Sequence, residues 1–374
     1  MKVAVLGSGN GGYACSADLA LRGHEVRLAE APSHAERLRP LIDDPYIDVV
    51  NIDGRPVGRA HLSLVTSDAA EAVTGADVVL NPVPIFAYRV FAQLVANTIE
   101  EGQVVCTLGK GGGSLVYAKA LREAGAVLPI LGETNTLPYG ATRLGQHQVR
   151  IESPTVELIT AAFPSRRTGE VVAAFGDLYP EYSIRKAANV LETILVDYNA
   201  ITHPPPMICN AARIASGYGQ EDFHLFGPSE NPEAVVRVIE AVDRERIALS
   251  RALGIKAYTL EEEINHVGFN PRGKEGRVLP LFEAIHTEKL EVCEGPYSLM
   301  SRHLVEDIPY GLVTFCSLGE MLGVPTPVSR ALSVMASVLN GEDYFLTGRT
   351  VERLGIDPAW RIDQLCRYLE EGQA

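Results

Sequence analysis

A glycine-rich turn near the amino terminus limits the fold of this chain more than any other feature. Lys2–Leu6 is a short apolar run with β-branched residues, which predicts a buried strand. The turn Gly7-Ser-Gly-Asn-Gly-Gly12 follows directly, and the pattern of Tyr13–Arg22 then predicts a helix, closed by a glycine. A second predicted strand, Glu25–Ala29, ends at the acidic residue Glu30. The order strand, glycine turn, helix, strand and acid predicts a parallel βαβ unit that binds a dinucleotide.

The glycines of this turn have separate physical roles. Gly7 permits the tight turn, Gly9 lets the backbone approach a pyrophosphate, and Gly12 lets the helix pack closely on the strand. The free amides at the start of the helix would bind the phosphates. We therefore predict that Gly7, Gly9, Asn10 and Gly12 bind the cofactor. A tight glycine turn without a ligand is the alternative interpretation.

The acid at the end of the second strand bears on the choice of cofactor. Glu30 follows Gly12 at close to the usual spacing of about 20 residues, so it would hydrogen-bond the adenosine ribose. Its negative charge would repel a 2′-phosphate, which favours NAD. Nearby arginines leave NADP open as the alternative; they are Arg27, Arg37 and Arg39.

The alternation of strands continues through the first half of the chain. Apolar runs at residues 76–80, 103–107 and 128–131 predict three further strands. The loops that follow them are Asn81–Pro84, Leu108–Gly113 and Gly132–Arg143. Because ligands of parallel α/β sheets bind beyond the carboxyl ends of the strands, these loops predict the floor of a site.

Three polar residues of these loops are candidates for that site. Glu133 and Thr134 would contact a substrate or, equally, make hydrogen bonds within their own loop. Lys110 is either a solvated loop lysine or a catalytic one, and the solvated interpretation is the simpler of the two.

The second half of the chain has a different pattern. From about Ile184 onward the strand pattern fades and helical patterns replace it. The predicted fold class is therefore α/β: an N-terminal Rossmann-type parallel-sheet domain, residues 1–185, followed by a mainly α-helical domain, residues 186–374.

Composition narrows the classes of partner. The chain has 33 Lys and Arg against 47 Asp and Glu, a formal net charge of −14, which argues against nucleic acids and anionic membrane surfaces. No apolar run approaches the roughly 20 residues of a membrane span, and the first strand leaves no room for a signal peptide. The isolated cysteines fit no zinc spacing, so we predict a reduced cytoplasmic protein that binds small molecules and no metal.

One histidine stands beside a run of prolines in the segment Asn199–Pro206. A histidine titrates near neutral pH, so His203 could both give and take a proton during hydride transfer. Because a proline pushes the preceding residue away from helical geometry, we expect His203 at a helix break with its ring facing a cavity. A histidine that caps backbone carbonyls at a helix end is the alternative.

A second group of polar residues runs from Ser301 to Gly311. Asp307 could hydrogen-bond one ring nitrogen of His203 and fix its tautomer, with Glu306 as its rival. Arg302 could hold a carboxylate through two parallel hydrogen bonds. A surface salt-bridge cluster is the alternative, and His303 is interpreted as a plain surface residue.

Together these segments resemble the opine dehydrogenases, the family of octopine, nopaline and carboxyethyl-norvaline dehydrogenases. The resemblance extends over nearly the whole chain. The segments that carry it are Gly7–Gly12, Glu133–Tyr139, Asn199–Pro204, Asp243–Arg246, Glu306–Gly311 and Gly348–Gly355. The glycine turn is common to many dehydrogenases, whereas the His-Pro and Asp-Ile-Pro-Tyr-Gly segments are far more specific.

The resemblance implies a reaction and a set of site residues. Family members join the amino group of an amino acid to a 2-oxo acid, usually pyruvate, and reduce the resulting imine with NAD(P)H. The resemblance assigns the proton relay to His203 and Asp307, and the oxo-acid carboxylate to Arg302. It also assigns substrate binding to Glu133, Thr134 and Asn199, at the start of the histidine segment. It leaves open the amino substrate, the stereochemistry, the direction and the oligomeric state, for which a homodimer is a family-level expectation.

Two other functions are consistent with parts of the sequence. Glycerol-3-phosphate dehydrogenase and ketopantoate reductase also join a glycine-turn Rossmann domain to a helical domain but use a catalytic lysine, for which Lys110 is the candidate. A sensor that binds the dinucleotide without turnover is the second alternative.

Overall fold

The structure is a computed structural model, and it describes residues 1–155, 157–217, 223–266, 278–286 and 295–373. The chain forms two compact units: Met1–Ile194 with Gln364–Ala374, and Leu195–Asp363. The first unit continues past residue 185, where the sequence pattern changes, because the helix that follows is tied to it by hydrogen bonds described below. The C-terminal helix also belongs to the first unit.

The first unit contains an eight-stranded sheet with the order β12-β11-β8-β7-β6-β1-β2-β5. Its neighbouring strands are parallel except for the antiparallel pair β8 and β11. The strands of the molecule are β1 Lys2–Leu6, β2 Glu25–Ala29, β3 Tyr46–Val50, β4 Pro56–His61, β5 Leu64–Thr66, β6 Val78–Asn81, β7 Val104–Leu108, β8 Ile130–Thr134, β9 Tyr139–Arg143, β10 Gln148–Pro154, β11 Glu157–Phe163 and β12 Ser183–Lys186. The predicted Rossmann-type sheet is confirmed.

The central strands are buried along their whole length. Every residue of β6, β7 and β8 is buried, as parallel strands covered on both faces require, and this explains their continuous apolar runs. The apolar core packs between these strands and the neighbouring helices.

A second, four-stranded sheet with the order β4-β3-β10-β9 was not predicted. The segment Gly132–Arg143 was expected to be one loop, but it completes β8 and then forms β9, which pairs antiparallel with β10. Strand β10 in turn pairs parallel with β3, which lies far away in the sequence. These short strands are stabilised by distant partners rather than by their local pattern, so the expectation of a loop was wrong.

Helices fill the second unit and flank the sheet of the first. In the described ranges the α-helices are α1 Asn10–Leu21, α2 Arg39–Asp43, α3 Ala69–Val73, α4 Tyr88–Val95, α5 Gly113–Glu123, α6 Thr168–Leu178, α7 Val190–Leu195, α8 Asn199–Thr202, α9 Pro204–Cys209, α10 Ala211–Ser216, α11 Glu233–Ala252, α12 Leu260–His266, α13 Leu281–Ile285, α14 Arg302–Val305, α15 Val313–Leu322, α16 Pro327–Asn340, α17 Tyr344–Thr347 and α18 Ile362–Glu371. None of these described helices combines the length and the apolar character that a membrane span requires.

Candidate active site

The glycine turn and the start of α1 form one continuous piece of backbone. The helix begins at Asn10, inside the turn, rather than at Tyr13 as predicted, and Gly9 is its N-cap residue. A Cβ added to Gly12 would overlap the carbonyl oxygen of Gly7, so only glycine fits at this position. Gly7 itself adopts a φ of 98°, which side chains disfavour. The first amides of α1 have no partner within the helix and are therefore available to an anion.

Glu30 is fixed at the same turn. It is only 5% exposed, and its Oε2 accepts hydrogen bonds from the amide and the hydroxyl of Ser8 at 2.9 and 2.8 Å. Its Oε1 accepts one from the amide of Ala31 at 2.8 Å. A carboxylate has about four lone-pair positions, so one acceptor position of Glu30 remains for a ribose hydroxyl.

A cation lies beside the turn. The amide of Arg143 donates to Oδ1 of Asn10 at 3.0 Å. The guanidinium of Arg143 donates to the carbonyls of Ser8 at 3.3 Å and Gly145 at 2.9 Å, and it lies 3.9 Å from the centroid of the Tyr13 ring. Within the described ranges no carboxylate pairs with this guanidinium. A positive charge next to a helix N-terminus suits the binding of a phosphate.

The loops after β7 and β8 are held together by one buried carboxylate. Glu133 is fully buried and accepts hydrogen bonds from the amides of Gly112 at 2.8 Å and Ser114 at 2.9 Å, and from the hydroxyls of Ser114 and Thr193. Burial raises the pKa of Glu133, an effect that these hydrogen bonds oppose. Because Thr193 belongs to α7, the same contacts attach α7 to the first unit.

The hydroxyl of the fully buried Thr134 donates to the carbonyl of Thr136 at 2.7 Å, which is a hydrogen bond within its own loop. Glu133 instead bonds the loop after β7 and helix α7, an arrangement that the sequence did not suggest. Direct contact of either residue with a substrate stays a prediction. Lys110, also in these loops, is only 8% exposed, so its interpretation as a solvated lysine was wrong.

In the second unit His203 lies between two short helices, α8 and α9. Its φ of −85° and ψ of −49° are helical, so the expectation that Pro204 would push it out of helical geometry was wrong. Pro204 occupies the first position of α9, where a missing N–H costs nothing, and backbone hydrogen bonds on both sides of the junction hold His203 in helical geometry. The backbone hydrogen bonds continue across the junction, from His203 to Asn199 at 3.0 Å and from Met207 to His203 at 3.2 Å.

The His203 ring is paired with one carboxylate. Its Nδ1 lies 2.7 Å from Oδ2 of Asp307, and the two residues are 7% and 2% exposed. Asp307 directly precedes a π-helical turn, Ile308–Leu312. The sequence left open whether Asp307 or Glu306 would bond the His203 ring. In the structure the partner is Asp307. With Nδ1 engaged, Nε2 is the ring nitrogen left to exchange a proton with a substrate.

The neighbours of this pair lie on α8 and α14. Arg302 is exposed at the start of α14, and no hydrogen-bond or ion-pair partner of its guanidinium exists in the described part of the chain. Asn199 is half-buried at the start of α8, one turn before His203.

Comparison with known proteins matches both halves of the chain. The family model for the alpha-helical domain of NAD/NADP octopine/nopaline dehydrogenases matches residues 186–340. The opine dehydrogenase of Arthrobacter sp. (strain 1C) is 33% identical over 356 residues, which cover 94% of each chain. This chain belongs to the opine dehydrogenase family. It is an NAD(P)-dependent oxidoreductase that acts on CH–NH bonds.

Solved structures agree with the fold of an opine dehydrogenase. An octopine dehydrogenase in complex with NADH and agmatine superposes with a TM-score of 0.82 at 21% identity, covering 100% of this chain and 99% of the other. An octopine dehydrogenase with NADH and pyruvate gives 0.75 at 21% identity over 95% of each chain. The model for the N-terminus of NAD-dependent glycerol-3-phosphate dehydrogenase matches residues 2–123 only, so that likeness includes Lys110 but neither His203 nor Asp307.

Sequence reasoning missed two side chains of this opine dehydrogenase. Arg143 comes to the glycine turn through the unpredicted sheet, and its position could not be inferred without the pairing of β9. His303 was interpreted as a plain surface residue, but its ring packs against His203 with 4.5 Å between the ring centroids, so that interpretation was wrong. Its closeness to Arg302 and Asp307 in the sequence was the available signal.

Buried charges stabilise the segment that leads to His203. Arg246 is fully buried and bonds Asp243 at 2.6 and 2.8 Å, and it donates to the carbonyls of Leu195 and Tyr258. The second oxygen of Asp243 accepts from the amide of Leu260 at 2.8 Å. The charged segment Asp243–Arg246 therefore contains a buried ion pair on α11.

Proposed function

We propose that His203 is the proton relay of this opine dehydrogenase and that Asp307 holds its ring in the reactive tautomer. The enzyme joins the amino group of an amino acid or amine to a 2-oxo acid such as pyruvate and reduces the imine to a secondary amine. The 2.7 Å contact between Nδ1 of His203 and Asp307 is the observation that carries the proposal.

The reaction requires protons at two points. The amine adds to the oxo carbon, and the oxygen leaves as water only after it is protonated. The imine nitrogen then accepts a proton, which makes its carbon a better hydride acceptor, and NADH supplies the hydride when bound. In balance, amine, oxo acid, NADH and one proton give the secondary amine, water and NAD⁺. Nε2 of His203 can serve both proton transfers because an imidazole titrates near neutral pH.

Substrate binding is assigned to four other residues. Arg302 holds the oxo-acid carboxylate, and its exposed guanidinium, which has no partner among the described residues, supports this role. Asn199 lies one helical turn before His203, within reach of the same region. Glu133 and Thr134 shape the amino-substrate region through the loops that they hold together, and direct contact of either with the substrate stays a prediction.

NAD is the proposed cofactor, with NADP as the alternative. The glycine turn and Arg143 fit a pyrophosphate, and Glu30 offers one acceptor to the ribose. Because three hydrogen bonds fix the carboxylate of Glu30, it cannot easily turn away from a 2′-phosphate. We expect NADH to bind more tightly than NADPH, and Glu30→Gln to narrow that difference. Equal affinities of the wild type for both cofactors would contradict this assignment.

The amino substrate can be identified by testing a panel of amino acids and amines. A relative of this fold was solved with NADH and agmatine and another with NADH and pyruvate, so amino acids and amines both belong in it. NADH oxidation is measured with pyruvate plus each amine, for wild type, His203→Ala and the control His61→Ala, an exposed histidine of the first unit. We expect turnover that requires both substrates, collapses in His203→Ala and persists in His61→Ala.

The same assay separates the alternatives. Loss of activity in Lys110→Ala with His203→Ala unaffected would favour a lysine-dependent reductase of the glycerol-3-phosphate dehydrogenase type. NADH binding without turnover on any pair of substrates would favour a sensor.

Two further assignments concern location and assembly. The free thiols of the described cysteines support a cytoplasmic location. Exposed apolar side chains on α16, at Val334, Met335 and Val338, support a homodimer. Light scattering tests the second assignment, and a monomeric mass at micromolar concentration would contradict it.

A further inference from the structure

Asp307 stands at the start of a turn with unusual geometry. It is the N-cap residue of the π-helical turn Ile308–Leu312, in which the amide of Val313 donates to the carbonyl of Ile308. A π-helical turn holds one residue more than an α-helical turn. Because successive residues of an α-helix lie about 100° apart around its axis, a change from π to α geometry would rotate Asp307 relative to the helix that follows. The direction of its carboxylate therefore depends on this turn.

A buried arginine from a distant segment binds the turn. Arg349 is only 4% exposed. Its amide donates to the carbonyl of Pro309 at 2.7 Å, and its Nη2 donates to the carbonyl of Tyr310 at 2.6 Å. The hydroxyl of Thr314 lies 3.1 Å from the carbonyl oxygen of Tyr310 and 2.8 Å from that of Arg349. Two backbone carbonyls of the turn are thus held by groups from outside it.

The residue before this arginine permits the close approach. A Cβ added to Gly348 would lie 2.7 Å from the carbonyl oxygen of Pro309 and 2.4 Å from that of Tyr344, so a side chain there would push the two segments apart. Gly348 and Arg349 begin the segment Gly348–Gly355, which carried part of the family resemblance. The proposed mechanism gives this segment no task.

The turn also packs against the helix that leads to His203. A Cβ added to Gly311 would lie 2.4 Å from Cβ of Ala200, so the backbone of the turn is in close contact with α8. Ala200 lies within one helical turn of His203, whose amide donates to the carbonyl of Asn199 at 3.0 Å. The same turn therefore carries Asp307 at its start and contacts the helix that carries its partner.

We propose that Arg349 is a positioning residue, which holds the turn Ile308–Leu312 in π geometry and so keeps the carboxylate of Asp307 on Nδ1 of His203. It acts through the backbone of the turn, and a hydrogen bond from a charged donor is stronger than one from a neutral group. Without the guanidinium, the turn relaxes and Asp307 leaves the ring. The inference rests on the proposed roles of His203 and Asp307.

The first test is Arg349→Met, which removes the donors of the guanidinium and keeps an unbranched side chain. In steady-state NADH oxidation with pyruvate and the best amine of the panel, kcat should fall about 10- to 150-fold, which corresponds to one lost hydrogen bond from a charged donor. The Kd for NADH should equal that of wild type, because the glycine turn belongs to the first unit. Arg349→Lys, which keeps one charged donor, should have an intermediate kcat.

The same substitution in the Asp307→Asn background separates positioning from a general effect on folding. If Arg349 acts through Asp307, Arg349→Met should lower kcat there by less than about twofold. A loss of folded protein would lower kcat by the same factor in both backgrounds. Arg353→Met is the matched control, because this exposed arginine of the same segment donates to the carbonyls of Leu346, Thr347 and Gly348. It should keep the kcat of wild type.

Two results would overturn the inference: a wild-type kcat in Arg349→Met, or an equal fall of kcat in both backgrounds. If Arg349→Met does not fold, Thr314→Val replaces it, since valine keeps the shape of threonine and removes the hydroxyl. It should then lower kcat severalfold in the wild-type background and not in Asp307→Asn, and no fall in either would overturn the inference. An unchanged kcat in Asp307→Asn would remove the proposed role of Asp307 and the inference with it, whereas a fall there without one in Arg349→Met would overturn the inference alone.

Discussion

The substitution Gly9→Ala separates cofactor binding from folding in the glycine turn. Gly9 has a φ of −73° and a ψ of −169°, which any residue adopts. A Cβ built on it meets no atom within 4 Å, so the added methyl group points into open space. The role assigned to Gly9 is to let the backbone approach a pyrophosphate, and a methyl group there would push the phosphate away.

The expected change in stability is small. Alanine restricts the unfolded chain more than glycine does, which stabilises the fold by about 0.4–1 kcal/mol. Alanine is also a poorer N-cap residue than glycine, at a cost of roughly 0.5–1 kcal/mol. These effects nearly cancel, so the free energy of unfolding of the apoprotein should stay within about 1 kcal/mol of wild type.

The expected change in NADH binding is large. Displacing the phosphate removes at least one amide–phosphate hydrogen bond, and bonds to charged groups contribute about 1.5–3 kcal/mol each. The Kd for NADH should therefore rise about 10- to 150-fold. Gly12→Ala is the matched contrast, because its Cβ would overlap the backbone of Gly7 and should destabilise the apoprotein by about 1–3 kcal/mol.

The assay is NADH fluorescence titration beside denaturant unfolding of the apoprotein, for both variants and wild type. A Kd of Gly9→Ala within twofold of wild type would refute the placement of the phosphates over Gly9. A large loss of stability in Gly9→Ala would refute the geometry of the turn.

Three further predictions concern the helical unit and the thiols. Asp307→Asn should lower kcat about 10²–10⁴-fold in steady-state NADH oxidation, because the amide cannot stabilise a protonated His203. Arg246→Met should lower the free energy of unfolding by about 3–5 kcal/mol in denaturant titration, because it leaves the buried charge of its aspartate partner uncompensated. Burial raises the pKa of Cys15 to about 12, so a thiol reagent should leave Cys15 unmodified in the native protein while it labels the exposed Cys366, as read by peptide mass spectrometry.

Each of these predictions has a control variant or a result that would contradict it. Arg237 forms an exposed pair with Glu233, so Arg237→Ala should change stability by less than about 1 kcal/mol; a loss equal to that of Arg246→Met would contradict the role of burial. Unchanged kcat in Asp307→Asn would remove the aspartate from the mechanism. Labelling of Cys15 as fast as Cys366 would contradict its burial in the core.

Local features of the sequence predicted the part of the fold that local chemistry determines. The strand, turn and helix at the amino terminus are encoded by adjacent residues, and β1 and β2 have the predicted bounds. The hydrogen bond between His203 and Asp307 was expected from two motifs that lie far apart in the sequence. This hydrogen bond could be predicted because each of the two motifs contains an unusual combination of residues.

Other features depended on contacts that the sequence does not display. The second sheet forms because β10 pairs with β3, and no sequence pattern within either strand indicates which strand it pairs with. Arg143 reaches the glycine turn through that sheet, so it was missed with it. The helical geometry of His203 is held by backbone hydrogen bonds that continue from α8 into α9, whereas the local rule for a residue before proline indicated the opposite.

The central claim, that this enzyme makes a secondary amine by reducing an imine, is tested most directly by the atoms in the product. The enzyme is supplied with deuterated NADH, pyruvate and an amine that carries heavy nitrogen, and the products are analysed by mass spectrometry. We expect one product that contains the heavy nitrogen and one deuterium on the former oxo carbon, and we expect this product to be absent in His203→Ala. Deuterated lactate without the heavy nitrogen would contradict it, since hydride would then have reduced the oxo acid itself.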